Sequence, residues 1–396
     1  MKILFVAMAE SIHTVRWVNQ LKNEGWDLFL FPSQDYPGVH NQMDGVKLCI
    51  PFYSMFAWLD KHGLGKYSRF LYVKIASHLK ERFPDYYAKR LKKYISDIKP
   101  DMIHSLETQG AGYLVAKVKC EHPPSNAFPA WWHTNWGSDI SLFGRIPQEK
   151  PLIRRVLENC EYYSCECKRD VDLAKDFGFK GTVLPVYPNT GGFDPIIIDD
   201  IKAKSQLTSE RRLIMLKGYQ GWAGRALVAI RALERCSDLI SNYTIVIYSN
   251  SDGEDVAIAA TLLSQKSGAS VKILPANTSH QEILKYHSLA RISIGLSIGD
   301  AISTSLLEAM AMGSFPIQSC TACASEWFID GVSGLIVPPE DPEVVEIAIR
   351  KALLSDILVN SAAEINYDKI IRDANFEHLK KKTIESYKKV LNIDHV

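Results

Sequence analysis

Residues 300–313 read Asp300-Ala-Ile-Ser-Thr-Ser-Leu-Leu-Glu-Ala-Met-Ala-Met-Gly313. Just before them runs ARISIGLSIG (290–299), in which Ile292, Ile294, Leu296 and Ile298 recur at every second position. That is the period of a strand, and β-branched residues suit one. Within the stretch, Leu306, Leu307, Met310 and Ala311 share one helical face, and Gly313 supplies a left-handed stop. SFPIQS (314–319) reads as a second strand, and the turn-rich GVSGLIVPPEDPE (331–343) follows. The order strand, loop, helix, strand predicts a parallel α/β sheet. Ligands on such sheets bind beyond the carboxyl ends of strands, against helix N-termini. Asp300 falls in that loop and Glu308 in the first turn or two of the helix.

The spacing suits a particular chemistry. A helix N-terminus offers N–H groups to a diphosphate, and Ser303, Thr304 and Ser305 add hydroxyls. A carboxylate cannot ligate phosphate, because like charges repel, but it can accept hydrogen bonds from the hydroxyl pair of a sugar or a ribose. Asp300 and Glu308, eight residues apart around phosphate-binding amides, therefore suit the two ends of a nucleotide-sugar. A structural reading stands beside this one. Ser305-Leu-Leu-Glu308 has the spacing of a capping box, and acids favour helix N-termini through the dipole alone.

The same stretch resembles the donor-site motif of the retaining GT-B glycosyltransferases of glycosyltransferase family 4. That motif has two acids separated by seven residues, EAMA-x-G, a strand, a Glu, and G-x-x-G-x-x-V. The matching residues are Asp300, Glu308-Ala-Met-Ala-Met-Gly313, Glu326 and Gly331-Val-Ser-Gly334-Leu-Ile-Val337, within roughly Ala290–Pro342. Asp300 stands where the family usually has Glu, and Ser303 where it often has Gly. The resemblance implies two Rossmann-like, doubly wound parallel-sheet domains facing a cleft, and retaining sugar transfer without a bound metal or other cofactor. It assigns ribose hydroxyls to Glu308, sugar hydroxyls to Asp300, and the β-phosphate to the amides of Ser303 and Thr304, with Ala301, Ile302 and Ser305 also at the donor.

Composition narrows the remaining classes. A chain of 396 residues that is 46% hydrophobic can form two domains with real cores. Its net charge of +1 argues against nucleic acid as a partner. No apolar run approaches the ~18–20 residues of a membrane-spanning helix. The opening MKILFVAMAESIHT turns polar too soon for a signal peptide and reads as a first strand. Eight irregularly spaced cysteines point to free thiols in a reducing compartment, so a cytoplasmic protein is expected. Cys320-Thr-Ala-Cys323 has no second pair or nearby His to make a metal site, and reads as a loop after a strand.

Along the chain, KILFVAM (2–8), an amphipathic helix through Ile12, Val15, Val18 and Leu21 to Gly25, and WDLFLFP (26–32) form a βαβ opening. There is no GxGxxG, which argues against a dinucleotide cofactor. Residues 52–99 mix aromatics with Lys and Arg throughout. They suit either helices packed on the first sheet or a docking surface for anionic membrane, with Phe52, Trp58, Lys66, Arg69, Phe70, Tyr72 and Lys74 as its contacts. Docking would place the protein peripherally on the inner face of the membrane. AWWHTNWGSDISLFG (130–144) resembles the family's T-x-H-G-x-D segment at the sugar pocket. Aligned on Gly137-Ser-Asp139 it puts Trp136 where the family has His, with His133 three residues earlier. Asp139 either faces the donor or caps a turn, and Trp131, Trp132 and Trp136 suit a sugar ring or the core.

YPNTGGFDPIIIDDIKAK (187–204) has boundary composition. The first domain is expected over 1–195, the donor domain over 205–372, and a last helix over about 376–396 returning to the first domain. Lys217 after a strand and Arg225 before a helix stand where the family neutralises the diphosphate. The loop after Pro275 resembles the nucleobase contact. The expected activity is sugar transfer from a nucleoside-diphosphate sugar, UDP being the commonest in the family. The acceptor would be a glycan or a lipid-linked glycan of surface-polysaccharide synthesis. A sugar-nucleotide epimerase or phosphorylase of the same fold, and a non-catalytic nucleotide-sugar-binding protein, are the alternatives.

Overall fold

The computed structural model describes residues 1–34, 38–50, 62–63, 70, 74, 78, 82–83, 85–123, 127–250 and 253–392. The chain divides into two compact units, Met1–Gly191 with His378–Val396, and Gly192–Glu377. The expected donor-domain start at 205 falls inside unit 2. The helix Pro195–Lys202, capped by Asp194, belongs to it. Tyr367 donates to Asp199 Oδ1 at 2.5 Å, and Lys202 lies over the Tyr367 ring. The boundary-like composition is thus a helix start: Asp-Pro at the N-cap and first position, preceded by two glycines.

Unit 1 is built on strands β1 (Lys2–Ala7), β2 (Asp27–Pro32), β3 (Lys47–Leu48), β4 (Met102–Leu106), β5 (Ala130–Thr134), β6 (Tyr162–Ser164) and β7 (Thr182–Val183). They pair in parallel in the order β3-β2-β1-β4-β5-β6-β7. The middle strands are buried along nearly their whole length, which is why they are continuous apolar runs rather than alternating ones. The exceptions inside β4 are Ser105 and His104. The His104 Nδ1 lies 2.6 Å from the Tyr387 hydroxyl and its Nε2 2.7 Å from Thr134 Oγ1, with the ring stacked on Trp132. Burial drives its pKa well below the ordinary range, so it is a neutral hydrogen-bonding link. Trp17 Nε1 donates to the same Tyr387 hydroxyl at 2.8 Å. The C-terminal segment is held on unit 1 by that shared hydroxyl together with Leu379 and Val390, which join the same core.

Unit 2 carries β8 (Leu213–Lys217), β9 (Thr244–Tyr248), β10 (Ser270–Ile273), β11 (Ala290–Gly295), β12 (Phe315–Ser319) and β13 (Leu335–Val337), parallel in the order β10-β9-β8-β11-β12-β13. Helices Ala226–Arg235, Glu254–Ser267, Pro342–Leu354 and Asp356–Asp373 cover it, meeting in one core with Ile230, Leu263, Ile349 and Val359. The alternating run through Ile298 ends as strand at Gly295. Beyond it, Arg225 N–H donates to Leu296 O and Ile298 N–H to Ala223 O, so the continuation pairs with a loop instead. Gly224 permits the tight fold of this loop back on Tyr219, since a Cβ there would lie 2.1 Å from Tyr219 O. Strand order reverses between β8 and β11, and the loops leaving these two strands flank the switch point where such sheets bind ligands.

Candidate functional site

Lys217 is the last residue of β8, and residues 296–303 leave β11 beside it. The helix Thr304–Ala311 starts from Ser303, which is extended (φ −66°, ψ 122°) and whose side chain does not cap it. Its hydroxyl instead accepts from Lys217 Nζ at 3.2 Å and lies 2.7 Å from Ser305 Oγ. A cation therefore stands at a helix N-terminus that no side chain caps, where both the dipole and the charge favour an anion. The loop is pinned from below: Cys323 N–H donates to Ala301 O at 2.8 Å, and Thr321 Oγ1 to Ser297 O. Ala301, Ile302 and Ser303 are buried and Thr304 is half-buried.

Asp300 is half-buried and accepts from the Ala301 amide at 2.9 Å. Burial, and after it the charge of Asp300, hold the Tyr219 phenol above its ordinary value. Glu308 lies in the second turn, five residues past the N-cap, so Ser305 and Glu308 do not form a capping box. The Glu308 carboxylate is buried between two imidazoles. His280 Nε2 lies 2.9 Å from Oε1, and His287 Nε2 lies 3.7 Å from Oε2. Both rings belong to the helix His280–Leu289, which follows the exposed loop opened by Pro275. Thr278 caps Pro275 O through both its amide (3.0 Å) and its hydroxyl (2.7 Å).

Arg225 is brought to the same edge by its backbone, but its guanidinium is engaged elsewhere. Its Nε donates to Glu340 Oε1 at 2.9 Å and its NH1 to Gly224 O at 2.9 Å. Lys217 and Arg225 thus differ in this structure. The lysine faces the helix N-terminus, and the arginine faces an acid.

In unit 1 the expected sugar-pocket residues turn inward. His133 is fully buried, with Nδ1 2.9 Å from Ser105 Oγ and Nε2 3.2 Å from Thr108 Oγ1. Burial lowers its pKa to about 3. Both ring nitrogens are used inside the sheet, so the imidazole presents none to a donor. Asp139 is buried and accepts from Trp136 N–H, Thr108 N–H and Thr108 Oγ1 at 2.9–3.0 Å. Its carboxylate laces the loop after β4 to the loop after β5, and burial lifts its pKa to about 6. Of the expected trio only Trp136 is partly exposed, its ring 5.4 Å from that of His13. Trp131 and Trp132 are core residues.

Residues 2–166 match the family model described as glycosyl transferase 4-like, and residues 198–369 match glycosyl transferases group 1. This chain is a glycosyltransferase of the family-4 type. No curated protein matches it by sequence. Its fold is GT-B, shared with solved structures at low identity. Sucrose-phosphate synthase from Thermosynechococcus elongatus is 14% identical with a TM-score of 0.67, each chain covering 100% of the other. HepE from Anabaena in complex with UDP-glucose is 12% identical with a TM-score of 0.67, over 98% of this chain and 100% of that one. Trehalose-6-phosphate synthase, studied for glycosyl transfer with retention, is 14% identical with a TM-score of 0.67, over 98% and 99%.

Several residues of this glycosyltransferase that the sequence reading passed over stand at the two sheet edges. His280 and His287 are seven apart on one helix, hence on one face, and that periodicity was visible. Their meeting with Glu308, 28 residues away from His280, was not. Tyr219, two residues past β8, carried no signal. Glu107 has φ +77°, a left-handed conformation that a non-glycine residue rarely adopts. Its buried carboxylate accepts from Gly110 N–H at 2.8 Å and Ala111 N–H at 2.5 Å. Burial raises its pKa to about 7. Glycines three and five residues after an acid were the available hint of a chain folding back onto it.

Proposed function

We propose that this glycosyltransferase moves a sugar from a nucleoside-diphosphate sugar, with uridine as the base, to a glycan or lipid-linked acceptor of surface-polysaccharide synthesis. Transfer retains the anomeric configuration and uses no metal ion. The observation that carries the reading is Lys217 at the helix N-terminus beside Ser303, with Asp300 before the first-turn amides and Glu308 after them. Lys217 and the amides of Ser303, Thr304 and Ser305 hold the diphosphate and stabilise the charge that builds on it as the sugar departs. Glu308 accepts from the ribose hydroxyls. Asp300 accepts from the sugar hydroxyls, with Tyr219 beside it. HepE, of the same fold, is known in complex with UDP-glucose, which supports the choice of nucleotide.

Chemically, the bond from the anomeric carbon to the phosphate oxygen breaks and the bond to the acceptor oxygen forms on the same face. The acceptor's proton passes to the departing diphosphate, so no enzymic nucleophile is required. The fold of trehalose-6-phosphate synthase, studied for transfer with retention, accords with that course. The protein works in the cytoplasm, with residues 52–74 as its contact with anionic membrane; the helix Tyr86–Ile98 packs instead into the unit 1 core through Ala88, Leu91 and Ile95. The decisive experiment is a panel of UDP-, GDP-, ADP- and dTDP-sugars scored for thermal stabilisation and nucleotide release, with the product's anomeric coupling read by NMR. A stabilising donor whose product keeps its configuration is expected. Stabilisation by none of them overturns the donor reading, and an inverted product overturns retention.

A further inference from the structure

We infer that His280 is a latch on Glu308, displaced when a ligand's hydroxyl pair arrives, and that His287 is the anchor that receives the carboxylate when the latch opens. The inference rests on the donor reading above and assigns roles to two residues outside it.

The geometry around Glu308 is lopsided. The carboxylate is buried, and the imidazole on Oε1 belongs to His280, whose side chain is 42% exposed. On Oε2 stands His287, whose side chain is 0% exposed and whose Nε2 is 3.7 Å away. That separation is too long for a hydrogen bond. His287 Nε2 is one of the buried nitrogens without a hydrogen-bond partner in the structure. Its other nitrogen, Nδ1, is 2.9 Å from Ser293 Oγ, which lies 2.7 Å from Ser314 Oγ. Burial lowers the His287 pKa to about 4, so the ring is neutral with one proton. A lone pair on Nε2 would face a carboxylate, so the proton sits on Nε2 and Ser293 donates to Nδ1.

An N–H is thus aimed at Glu308 Oε2 and stops short of it. Leaving a buried donor unmatched is unfavourable, and a shift of the carboxylate toward His287, away from His280, closes the gap. The latch gives Glu308 a second position bonded to His287, beside the one the structure shows on His280. A vicinal diol reaching Oε1 from the exposed side takes the place of His280, and the carboxylate then satisfies His287. The exchange accounts for an exposed imidazole standing over a buried acid. Tyr248 closes the back of the site, its ring 5.4 Å from that of His287 and its phenol pushed up by burial and by the Glu308 charge.

The test compares ribo- and deoxyribonucleotides. Dissociation constants of UDP and GDP, and of their 2′-deoxy counterparts, are measured calorimetrically on the parent chain, His280→Ala and His287→Asn. His280→Ala lies at an exposed position and should keep the parent's unfolding temperature. It should tighten the ribonucleotide by about threefold to tenfold, one exposed hydrogen bond to a carboxylate no longer competing. The 2′-deoxy nucleotide should change by less than about twofold, because it does not complete the exchange. His287→Asn should weaken the ribonucleotide selectively. If His280→Ala weakens ribonucleotide binding, or moves both nucleotides alike, His280 is a ligand contact or a prop and the latch is wrong. If the parent binds no nucleotide at all, the donor reading falls and takes the latch with it. Glu308-dependent binding without the ribose-specific gain overturns the latch alone.

Discussion

Glu308→Gln separates a binding acid from a structural one, and the structure sets the size of each effect. The helix Thr304–Ala311 has Ser303 as its N-cap, and Glu308 stands five residues on, past the N3 place of a capping box. Glutamine has nearly the same shape and its carbonyl can still accept from His280 at the 2.9 Å site. What it loses is the charge, which the buried phenol of Tyr248 feels, and the second acceptor facing His287. Glutamine buries no charge, which offsets the lost acceptor, so the unfolding free energy should change by less than ~1 kcal/mol. For a ligand the change is larger. A hydrogen bond from a ribose hydroxyl to a buried carboxylate contributes about 1.5–3 kcal/mol, or about 10- to 150-fold in affinity. Calorimetric titration of UDP into both proteins, with thermal unfolding of each, reads the two numbers independently. The reasoning fails if the variant binds UDP like the parent, or if it melts early while its folded fraction binds normally.

Asp300→Asn should lower turnover by ~100-fold or more, from ~3 kcal/mol lost as the sugar gains positive charge, while UDP, which has no hexose, binds as before. Asp300→Glu should change donor preference, and unaltered kinetics in both variants would remove Asp300 from the site. Turnover should survive excess EDTA, because the proposed site leaves the phosphate charge to Lys217 and the helix amides; loss restored only by Mg²⁺ or Mn²⁺ would overturn that assignment. Most of residues 52–84, including Phe52, Trp58, Lys66, Arg69 and Tyr72, lie outside the described residues. Within them, Phe70 is 62% exposed with Lys74 over its ring. Among the described residues no helix is long and apolar enough to cross a membrane. Sedimentation with anionic liposomes should show salt-sensitive binding lost on charge reversal at Lys66, Arg69 and Lys74, and full recovery in the supernatant at low salt would refute docking. Glu107 gives a pH prediction. Its folded pKa, about 7, lies above its ordinary 4.5, so the folded state holds the extra proton between them and stability falls as pH rises through that window. The stability of Glu107→Gln relative to the parent should therefore improve by ~1–3 kcal/mol from pH 4.5 to 7.5, and a pH-independent difference would show that burial does not govern this acid.

What sequence made legible here has a common cause, and so does what it hid. Each parallel strand carries its own burial in its own residues, so KILFVA, LIMLK and ARISIG could be placed without knowing their neighbours. The helix after β11 was legible for the same reason, its apolar face and its glycine stop (φ +70° at Gly313) being local. Side-chain direction at the strand ends is not local. Trp132 and His133 are adjacent and point to opposite faces. Trp132 stacks on His104, while His133 reaches Ser105 and Thr108, and the strand pairing of β4 with β5 decides which is which. The motif spacing around Gly137 fixed a position in the chain but not the face its side chains would use. Arg225 makes the same point at longer range. Its place before the helix was visible, yet its guanidinium turns to Glu340, 115 residues on. Lys217 instead meets Ser303 at the helix N-terminus. The two cations that the sequence paired at one site are therefore distinguished by residues that no local pattern connects to them. In the proposed donor site Lys217 would therefore meet a diphosphate where it stands, whereas Arg225 would share its guanidinium with Glu340 or turn away from it.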